Sequence, residues 1–492
     1  MENRYLAVDL GAESGRVMLG SLTEDRITLE ELHRFANVPL DNEGSLTWDL
    51  DCLTREIKAG LAKAGQLGVP IDGVSVDSWG VDYVLLDDAG AIMPPAFHYR
   101  DSRNKAAAEE IRRRIPWEEI YEETGLQFIA FNTLFQLAAE ETERLRAASL
   151  VLPIADALNR LLCGVAKTEL SIASTMQLYD PRKRTWSNRL LEVLELPRDK
   201  LPEIVASGTP LGPLLPEIEK ETGLSRVEVV AGLSHDTGAA VAAVPATEGD
   251  EDWAFLSSGT WSLIGVELRE PLINESARLR NFTNEIGYDH RVRFLRNVIG
   301  LWLVRECRRR WSENGEEYNY DELARLANES EPFAHLIDPD DERFFNPVDM
   351  PKEIAGYCRE TGQTEPSSPG AFVRCALESL ALMYRQRIQD LTELTGRTFS
   401  RLHVIGGGSR NALLNQFTAD ALNLPVVAGP AEATALGNVS AQALALGRLR
   451  SLQEARRMIA ASSDLRSFLP QNSERWHLAA NRFEQLQFET DH

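Results

Sequence analysis

The amino-acid sequence predicts an α/β protein built from two similar halves. Strand-like and helix-like hydrophobic patterns alternate along the chain, which is typical of this class. A strand–turn–strand pattern occurs twice, at residues 5–19 and 253–268. A chain of 492 residues is also longer than one hydrophobic core usually accommodates. We therefore predict two domains, residues 1–246 and 247–492, and expect the ligand site in a cleft between them.

The first half opens with the apolar run YLAVDLG, the turn AESG and a second apolar run, a pattern that predicts a β-hairpin. Apolar residues at four-residue spacing predict an amphipathic helix over residues 50–67. The segment GVSVDSWGVDYVLLD predicts strand structure over residues 73–87. Helical patterns dominate residues 105–162, and prolines interrupt residues 185–223.

The second half repeats this opening after the acidic stretch PATEGDED. WAFLSSGTWSLIGVEL again predicts two strands around a turn of small residues. A long helix is predicted over residues 369–394, a strand over 401–408 and a helix over 409–422, followed by a strand and a last helix. We interpret the repeated plan as an ancient duplication, with two unrelated hairpins as the alternative.

Composition limits the classes of partner. The formal net charge of -23 and the pI near 4.9 argue against nucleic-acid binding, which relies on clustered Lys and Arg. Five cysteines are scattered without a C-x-x-C pair, so neither a disulfide framework nor a zinc site is indicated. No signal-peptide pattern and no apolar run of membrane length occurs. We expect a cytoplasmic protein with small-molecule ligands and no membrane partner, and leave monomer or dimer open.

Several nucleotide and hydrolase motifs are absent. The segment IGGGSRN has Asn411 where a dinucleotide fingerprint needs its third glycine, and the chain contains no Gly-Lys pair for a P-loop and no G-x-S-x-G segment. Three glycine-containing turns remain, at residues 10–16, 257–261 and 406–411. Their backbone N–H groups suit phosphate oxygens, although each alone could be an ordinary hairpin turn or helix cap.

The segment GLSHDTGAA places a carboxylate, Asp236, where an apolar strand meets a helix. Asp at such a junction is commonly a helix N-cap. The same position would keep the carboxylate ionised.

Four segments, DLGAESGR, SHDTGAA, SSGTWSL and GGGSRNALLNQFTADAL, resemble the phosphate, catalytic and adenosine segments of the FGGY carbohydrate kinases of the actin-like ATPase superfamily. The resemblance runs from about residue 4 to residue 470 and implies two actin-like (ribonuclease H-like) domains. The strings VDSWGVDYVLLD, HYRDSR and NVIGLW resemble the rhamnulokinase branch. That likeness implies phosphorylation of L-rhamnulose at its 1-hydroxyl, in L-rhamnose catabolism, by ATP with Mg²⁺. L-Fuculose or L-ribulose remains an alternative substrate. A catalytically silent ATP-gated sugar sensor or an actin-like filament protein remains an alternative class of protein.

The resemblance also assigns roles to residues. Asp236 matches the catalytic base, and Asp9 matches an acidic residue that holds Mg²⁺ through water. Positions that match the ATP-binding segments are Ala12, Glu13, Ser14, Gly15, Arg16, Thr260, Arg305, Gly406, Gly407 and Gly408. Positions that match the sugar-binding residues are Gly80, His235, Thr237 and Asn297. The first domain would thus hold the sugar, the first phosphate loop and the base, and the second would hold ATP.

Two expectations concern the wall of the sugar site. Asn297 and Arg305 are eight residues apart, and we expect them on one face of a single helix, with the surface of that helix as the alternative place for Arg305. Trp79 is a candidate aromatic wall for the sugar, with a plain core position as the alternative.

Overall fold

The computed structural model describes residues 2–247, 249 and 252–490. The chain divides into two compact units. The first consists of Met1–Glu248, Glu267–Phe294 and Ala433–Ser462, and the second of Gly249–Val266, Leu295–Glu432 and Ser463–His492. Two later segments therefore fold into the first unit. The domain boundary at residue 246 stays a prediction.

The strands of the described residues are β1 (Asn3–Leu10), β2 (Ser14–Leu22), β3 (Ile27–Ala36), β4 (Leu40–Asn42), β5 (Ser45–Trp48), β6 (Gly73–Ser78), β7 (Tyr83–Leu86), β8 (Ile92–Met93), β9 (Ala96–Phe97), β10 (Leu150–Pro153), β11 (Thr168–Glu169), β12 (Tyr179–Asp180), β13 (Thr185–Trp186), β14 (Ile204–Val205), β15 (Thr209–Pro213), β16 (Glu228–Ala231), β17 (Trp253–Ser258), β18 (Trp261–Leu268), β19 (Thr283–Ile286), β20 (Val292–Ile299), β21 (Arg401–Ile405), β22 (Val426–Ala428) and β23 (Arg466–Phe468).

The α-helices of the same residues are α1 (Leu50–Gln66), α2 (Arg103–Arg114), α3 (Trp117–Thr124), α4 (Thr133–Ala138), α5 (Thr142–Ala147), α6 (Ile154–Cys163), α7 (Leu170–Ala173), α8 (Asn188–Leu194), α9 (Pro216–Thr222), α10 (Asp236–Ala242), α11 (Glu275–Leu279), α12 (Trp302–Glu313), α13 (Tyr320–Glu329), α14 (Met350–Glu360), α15 (Pro369–Thr395), α16 (Ala412–Leu422), α17 (Ala433–Ala445), α18 (Leu452–Ser462) and α19 (Ser473–Thr490). In the part of the chain that the structure describes, no helix is both long and apolar enough to cross a membrane.

The first unit is organised around a six-stranded sheet with the order β15-β16-β6-β1-β2-β3. Strand β1 pairs antiparallel with β2 and parallel with β6. The residues of β1 from Leu6 to Leu10 are almost completely buried, as expected for a strand covered on both faces. Helix α1 packs against β2 and β3, whereas α17 packs against β1 and β6.

Helix α17 also packs closely on α10, the helix that begins at Asp236. Gly437 makes this approach possible, because a Cβ atom at this position would lie 1.8 Å from the carbonyl oxygen of Ala239. Only glycine permits such close backbone packing. Residues near the end of the chain therefore help to fix the helix that begins at the candidate base.

The main sheet of the second unit repeats this plan. Its strands follow the order β20-β18-β17-β21-β22-β23. Strand β17 pairs antiparallel with β18 and parallel with β21, and β22 pairs parallel with β21 and antiparallel with β23. The two predicted hairpins are thus confirmed, and their sheets share one topology.

Some predicted elements differ in detail from the structure. The helix predicted over residues 50–67 and the long helix over 369–394 are confirmed. The strand structure predicted over 73–87 is two strands, because the chain turns at Gly80 and Val81, where Val81 has a φ of 68°. The helical stretch over 105–162 is interrupted by β10, which pairs with β7.

Candidate active site

The candidate base, Asp236, is the first residue of α10 and follows β16 after a short loop. The N-cap position belongs to His235, so the helix-cap interpretation of Asp236 is wrong. Oδ1 of Asp236 accepts hydrogen bonds from the backbone N–H of Thr237 and from its hydroxyl, the latter at 3.1 Å. The Asp236 side chain keeps 29% of its surface exposed, so a ligand can reach it.

The surroundings of Asp236 change its acidity. Burial, and then the charge of Asp9, raise the pKa of Asp236 to about 7, while the hydrogen bonds from Thr237 lower it. A carboxylate with a pKa near neutrality exchanges its proton readily at physiological pH, which is the property of a general base.

Asp9 and Asp77 are register partners on the parallel strands β1 and β6. The amide of Asn438 on α17 donates to Oδ2 of Asp77, and the amide of Gln442 donates to Oδ1 of Asn438 at 2.7 Å. Oδ1 of Asp77 is buried and has no hydrogen-bond partner among the described residues. Burial, and then the charge of Asp9, raise the pKa of Asp77 well above its usual range.

These two carboxylates fit a divalent cation. A buried carboxylate oxygen without a donor is costly, and a nearby cation would stabilise it. Mg²⁺ at kinase sites is usually held by one or two carboxylates, substrate phosphates and water. Oδ2 of Asp9 forms an ion pair with the guanidinium of Arg16. No group of three or more His, Cys, Asp or Glu side chains among the described residues is arranged to hold a metal ion.

The first predicted phosphate loop, Ala12–Arg16, spans the turn of the β1–β2 hairpin and the first three residues of β2. The N–H of Gly11 donates to the carbonyl oxygen of Ser14 at 2.9 Å. Asn37 supports the loop by donating its N–H to the carbonyl oxygen of Glu13 at 2.9 Å and its amide to that of Gly11 at 3.0 Å. A Cβ atom on Gly15 would lie 2.2 Å from the ring of Phe35. Gly15 is therefore required for packing, whatever the loop binds.

Gly80 begins a tight turn between β6 and β7. A Cβ atom on Gly80 would lie 2.9 Å from the hydroxyl oxygen of Thr175. The next residue, Val81, adopts the left-handed region with a φ of 68°, which is strained for a β-branched residue. Its carbonyl oxygen accepts from the hydroxyl of Thr133 at 2.6 Å and the amide of Gln136 at 3.2 Å. These bonds hold the strained turn in place.

Asp82, the next residue along, is a buried hydrogen-bond centre that sequence reasoning missed. Its Oδ2 accepts from the indole N–H groups of Trp48 at 2.7 Å and Trp79 at 2.9 Å, and its Oδ1 from the amide of Gln136 at 2.7 Å. Trp79 is only 6% exposed, and its ring centroid lies 4.1 Å from that of Trp48. Of the two interpretations of Trp79, the structure therefore supports the core position and not the aromatic wall.

The loop before Asp236 is held by buried carboxyl groups. The N–H of Ser234 donates to Oε2 of Glu169 at 3.0 Å, and its hydroxyl donates to Oδ1 of Asp156 at 2.9 Å. The N–H of His235 donates to the hydroxyl oxygen of Ser171 at 3.1 Å. Burial raises the pKa of Asp156 and of Glu169. No local sequence pattern indicates these contacts, because residues 156–171 lie far from 234 in the chain.

In the second unit, the turn that holds Thr260 and the turn that holds Gly406–Gly408 follow the parallel strands β17 and β21. A Cβ atom on Gly408 would lie 2.0 Å from the hydroxyl oxygen of Ser258, whereas a Cβ atom on Gly407 meets no described atom within 4 Å. The hydroxyl of Ser258 is buried and has no hydrogen-bond partner in the described ranges. Gly407 thus leaves open backbone next to a packed turn.

Asn297 and Arg305 do not share a helix, so that prediction is wrong. Asn297 lies on β20, and Arg305 lies on α12, in the turn that follows Trp302. The chain turns at Gly300, where a Cβ atom would lie 2.6 Å from the hydroxyl oxygen of Ser262. The β-branched residues before that glycine favour a strand. The eight-residue spacing therefore does not place Asn297 and Arg305 on one helix face.

Both halves of the sequence match one protein family. Residues 4–243 match the FGGY family of carbohydrate kinases, N-terminal domain, and residues 254–446 match the C-terminal domain of that family.

Curated relatives are similar over nearly their whole length. A rhamnulokinase of Bacteroides thetaiotaomicron is 44% identical over 486 residues, which cover 98% of this chain and 99% of the relative. A rhamnulokinase of Enterococcus faecalis is 43% identical and covers 93% of this chain and 92% of the relative. A rhamnulokinase of Bacillus subtilis is 38% identical, with 96% of both chains covered.

Solved structures show the same fold at low sequence identity. A gluconate kinase from Lactobacillus acidophilus aligns with a TM-score of 0.80 and 15% identity, covering 99% of this chain and 96% of that one. Plasmodium falciparum glycerol kinase with ADP aligns with a TM-score of 0.78 and 17% identity, covering 99% and 98%. The predicted two-domain α/β class is confirmed.

Proposed function

Because this chain belongs to the FGGY family of carbohydrate kinases, we propose that it transfers the γ-phosphoryl group of ATP to the 1-hydroxyl of L-rhamnulose. The products are L-rhamnulose 1-phosphate and ADP. The substrate is proposed from the relatives named rhamnulokinase, which are 38 to 44% identical over most of this chain. Their names favour L-rhamnulose over L-fuculose and L-ribulose.

One observation supports the chemistry most directly, namely the environment of Asp236. Its pKa is raised to about 7 by burial and by Asp9, and its side chain remains partly exposed. A helix-start carboxylate that only stabilised α10 would need neither property. We assign Asp236 as the general base.

In the proposed reaction, Asp236 accepts the proton of the sugar 1-hydroxyl as the hydroxyl oxygen attacks the γ-phosphorus of ATP. The bond between that oxygen and phosphorus forms, and the bond from phosphorus to the bridging oxygen breaks. ADP leaves with the bonding electron pair. Phosphoryl transfer has a loose transition state, so positioning and charge neutralisation should contribute most of the acceleration. The base should contribute about 10²-fold to 10⁴-fold.

Two groups of residues are proposed to bind ATP. The phosphate-loop residues are Ala12, Glu13, Ser14, Gly15 and Arg16. The residues from the later half of the chain are Thr260, Arg305, Gly406, Gly407 and Gly408. The open backbone at Gly407 supports close approach of the nucleoside, because a side chain there would occupy the space. The ion pair between Arg16 and Asp9 supports a role for Arg16 near the phosphates, since the same guanidinium could turn to a phosphate oxygen.

Mg²⁺ is the divalent ion that we propose, with Asp9 holding it through water and Asp77 beside it. The unpartnered Oδ1 of Asp77 supports this assignment. When bound, the ion would neutralise phosphate charge.

For the sugar, we propose Gly80, His235, Thr237 and Asn297. Gly80 lies in the strained turn held by Thr133 and Gln136, and such strain is common where a backbone faces a ligand. His235 and Thr237 flank the base along the chain.

The test is ADP release in a coupled assay with Mg-ATP across L-rhamnulose, L-fuculose, L-ribulose, D-xylulose and glycerol. We expect the largest kcat/KM for L-rhamnulose, and loss of about 10²-fold or more of kcat in Asp236→Asn. A preference for another ketose would replace the substrate while keeping the base. No turnover with any sugar, together with sugar-dependent ATP binding, would favour a sensor.

A cytoplasmic location also remains part of this proposal. Its support is that all five cysteines are free in the described structure, as is usual in reducing compartments.

A further inference from the structure

His235, which precedes the base, contacts a buried arginine from a distant part of the first unit. Nη2 of Arg293 lies 3.0 Å from Nδ1 of His235. Arg293 has no exposed side-chain surface. It also donates from Nε and Nη2 to the carbonyl oxygen of Ile286, at 3.3 and 3.1 Å. The backbone therefore fixes the orientation of the guanidinium.

This contact determines where the imidazole can hold its proton. A guanidinium group only donates hydrogen bonds, so Nδ1 of His235 must be the acceptor. A neutral imidazole with an accepting Nδ1 carries its hydrogen on Nε2. The structure thus selects the Nε2–H tautomer.

The charged groups around His235 keep the ring neutral. Arg293 lies on β20, and Glu285 on β19 places Oε2 3.5 Å from Nδ1 of His235 and 3.2 Å from Nη1 of Arg293. Asp236 on α10 lies on the other side of the ring. Burial and then the charge of Arg293 lower the pKa of His235 well below its usual value. Because the carboxylate of Glu285 also lies close to Arg293, the guanidinium compensates much of the negative charge of Glu285.

The Nε2 atom points to the catalytic side. It lies 3.4 Å from Oδ1 of Asp236, which is longer than an ordinary hydrogen bond and leaves the N–H available to an oxygen between or beside the two groups.

We propose that Arg293 is a positioning residue that fixes His235 as the Nε2–H tautomer, so that His235 donates to an oxygen of the polyhydroxy substrate beside the hydroxyl that Asp236 deprotonates. This inference rests on the proposed function for its substrate. It makes His235 a hydrogen-bond donor and leaves proton abstraction to Asp236.

Arginine is suited to this task because its planar fork reaches three partners at once. These are the imidazole of His235, the carboxylate of Glu285 and the carbonyl of Ile286. Lysine has one charged nitrogen and cannot reproduce the set. The strand end that holds these groups is fixed separately, by the hydroxyl of Ser174, which accepts from the N–H of Ile286 at 2.8 Å.

The first test reads the tautomer directly by ¹⁵N NMR of the intact protein with labelled histidine. The chain contains eight histidines, and the His235→Gln spectrum identifies the signal. We expect an Nε2–H imidazole that does not titrate between about pH 6 and 8, where an ordinary histidine does. An Nδ1–H tautomer, or a ring that titrates in this range, would overturn the proposal.

The second test separates positioning from stability by steady-state kinetics. Arg293→Met should raise KM for the sugar about tenfold, as expected from the loss of about 1.4 kcal/mol of binding, and leave KM for ATP unchanged. Arg293→Lys should be intermediate. His235→Gln, whose amide nitrogen can reach the position of Nε2, should bind the sugar more tightly than His235→Asn, whose amide ends near Nδ1.

Ser174→Ala is the matched control, because it loosens the same strand end without touching the imidazole. It should lower Tm and leave KM for the sugar unchanged. Equal effects of Ser174→Ala and Arg293→Met on KM would show that Arg293 is only structural. If the wild type phosphorylates no sugar, the proposed function fails, but the NMR measurement still decides the tautomer because it needs no turnover.

Discussion

Both hydrogen bonds that Thr237 donates to Asp236, from its backbone N–H and from its hydroxyl, end on the same oxygen, Oδ1. Both stabilise the ionised carboxylate and act against the burial that raises its pKa. With Oδ1 occupied in this way, Oδ2 is the oxygen that we assign to the sugar hydroxyl. The predictions below follow from this arrangement and from the packing around it.

The rate of the enzyme should depend on the ionisation of Asp236. Because its pKa is raised to about 7 from the usual 3.8, the carboxyl group is mostly protonated, and so inactive as a base, below that pH. We expect kcat/KM for the sugar to fall about tenfold per pH unit below 7 and to level off above about pH 8. If kcat/KM instead fell only near pH 4, this acidic limb of the pH–rate profile would contradict the environment described for Asp236.

The hydroxyl of Thr237 should tune that pKa. Thr237→Val keeps the shape and the backbone N–H but removes one donor to the carboxylate. A hydrogen bond to a charged group contributes about 1.5 kcal/mol, so the acidic limb should move upward by about one pH unit. Thr237→Ser retains the hydroxyl and serves as the control. An unchanged limb in Thr237→Val would show that the hydroxyl does not act on the base.

Local sequence patterns predicted the strands and helices well because each pattern lies within one element. The hairpin turns, the helix at residues 50–67 and the position of Asp236 at a helix start all follow from neighbouring residues. The contacts that hold the site residues do not follow from neighbouring residues. Asn438 contacts Asp77 across 361 positions, and Arg293 contacts His235 across 58. No periodicity encodes such pairs.

One feature of the sequence does indicate a special role for Asp77. A carboxylate within the apolar run GVSVDSWG must be buried when that run forms a strand, and a buried charge needs a partner. The prediction for Asn297 and Arg305 is wrong for a different reason, because Gly300 separates the strand that holds Asn297 from the helix that holds Arg305.

The two glycines of the second unit should respond differently to alanine. Gly407→Ala meets no described atom within 4 Å, so Tm should be unchanged. KM for ATP should rise about tenfold if nucleoside contact worth about 1.4 kcal/mol is lost. KM for the sugar is the internal control. Normal ATP kinetics in this variant would place the nucleoside elsewhere.

Gly408→Ala should instead impair folding, because its Cβ would lie 2.0 Å from the hydroxyl oxygen and 2.6 Å from Cβ of Ser258. Overpacking of this kind costs about 1 to 3 kcal/mol, measurable as a lower Tm. Adding Ser258→Gly should restore part of the loss. If the double variant is no more stable than Gly408→Ala, the backbone contact dominates the clash.

Asn438 should stabilise the first unit through Asp77. Asn438→Ala removes the donor to a buried carboxyl oxygen, and we expect the free energy of unfolding to fall by about 1 to 3 kcal/mol in urea titrations. Asn314→Ala, at an exposed position, is the control. A double-mutant cycle with Asp77→Asn should show coupling of about 0.5 kcal/mol or more. Strict additivity would mean that the two side chains do not support each other.

The order of synthesis has a consequence for how the first unit forms. Helices α17 and α18 are made roughly 200 residues after α10, and ribosomes add about 5 to 20 residues per second. For about 10 to 40 s, the nascent chain therefore holds β1, β6 and α10 without the helices that bury them. On β6, the face that later accepts α17 carries the buried carboxylate of Asp77, whose donor Asn438 has not yet been made, so the newborn first unit is least stable during this interval.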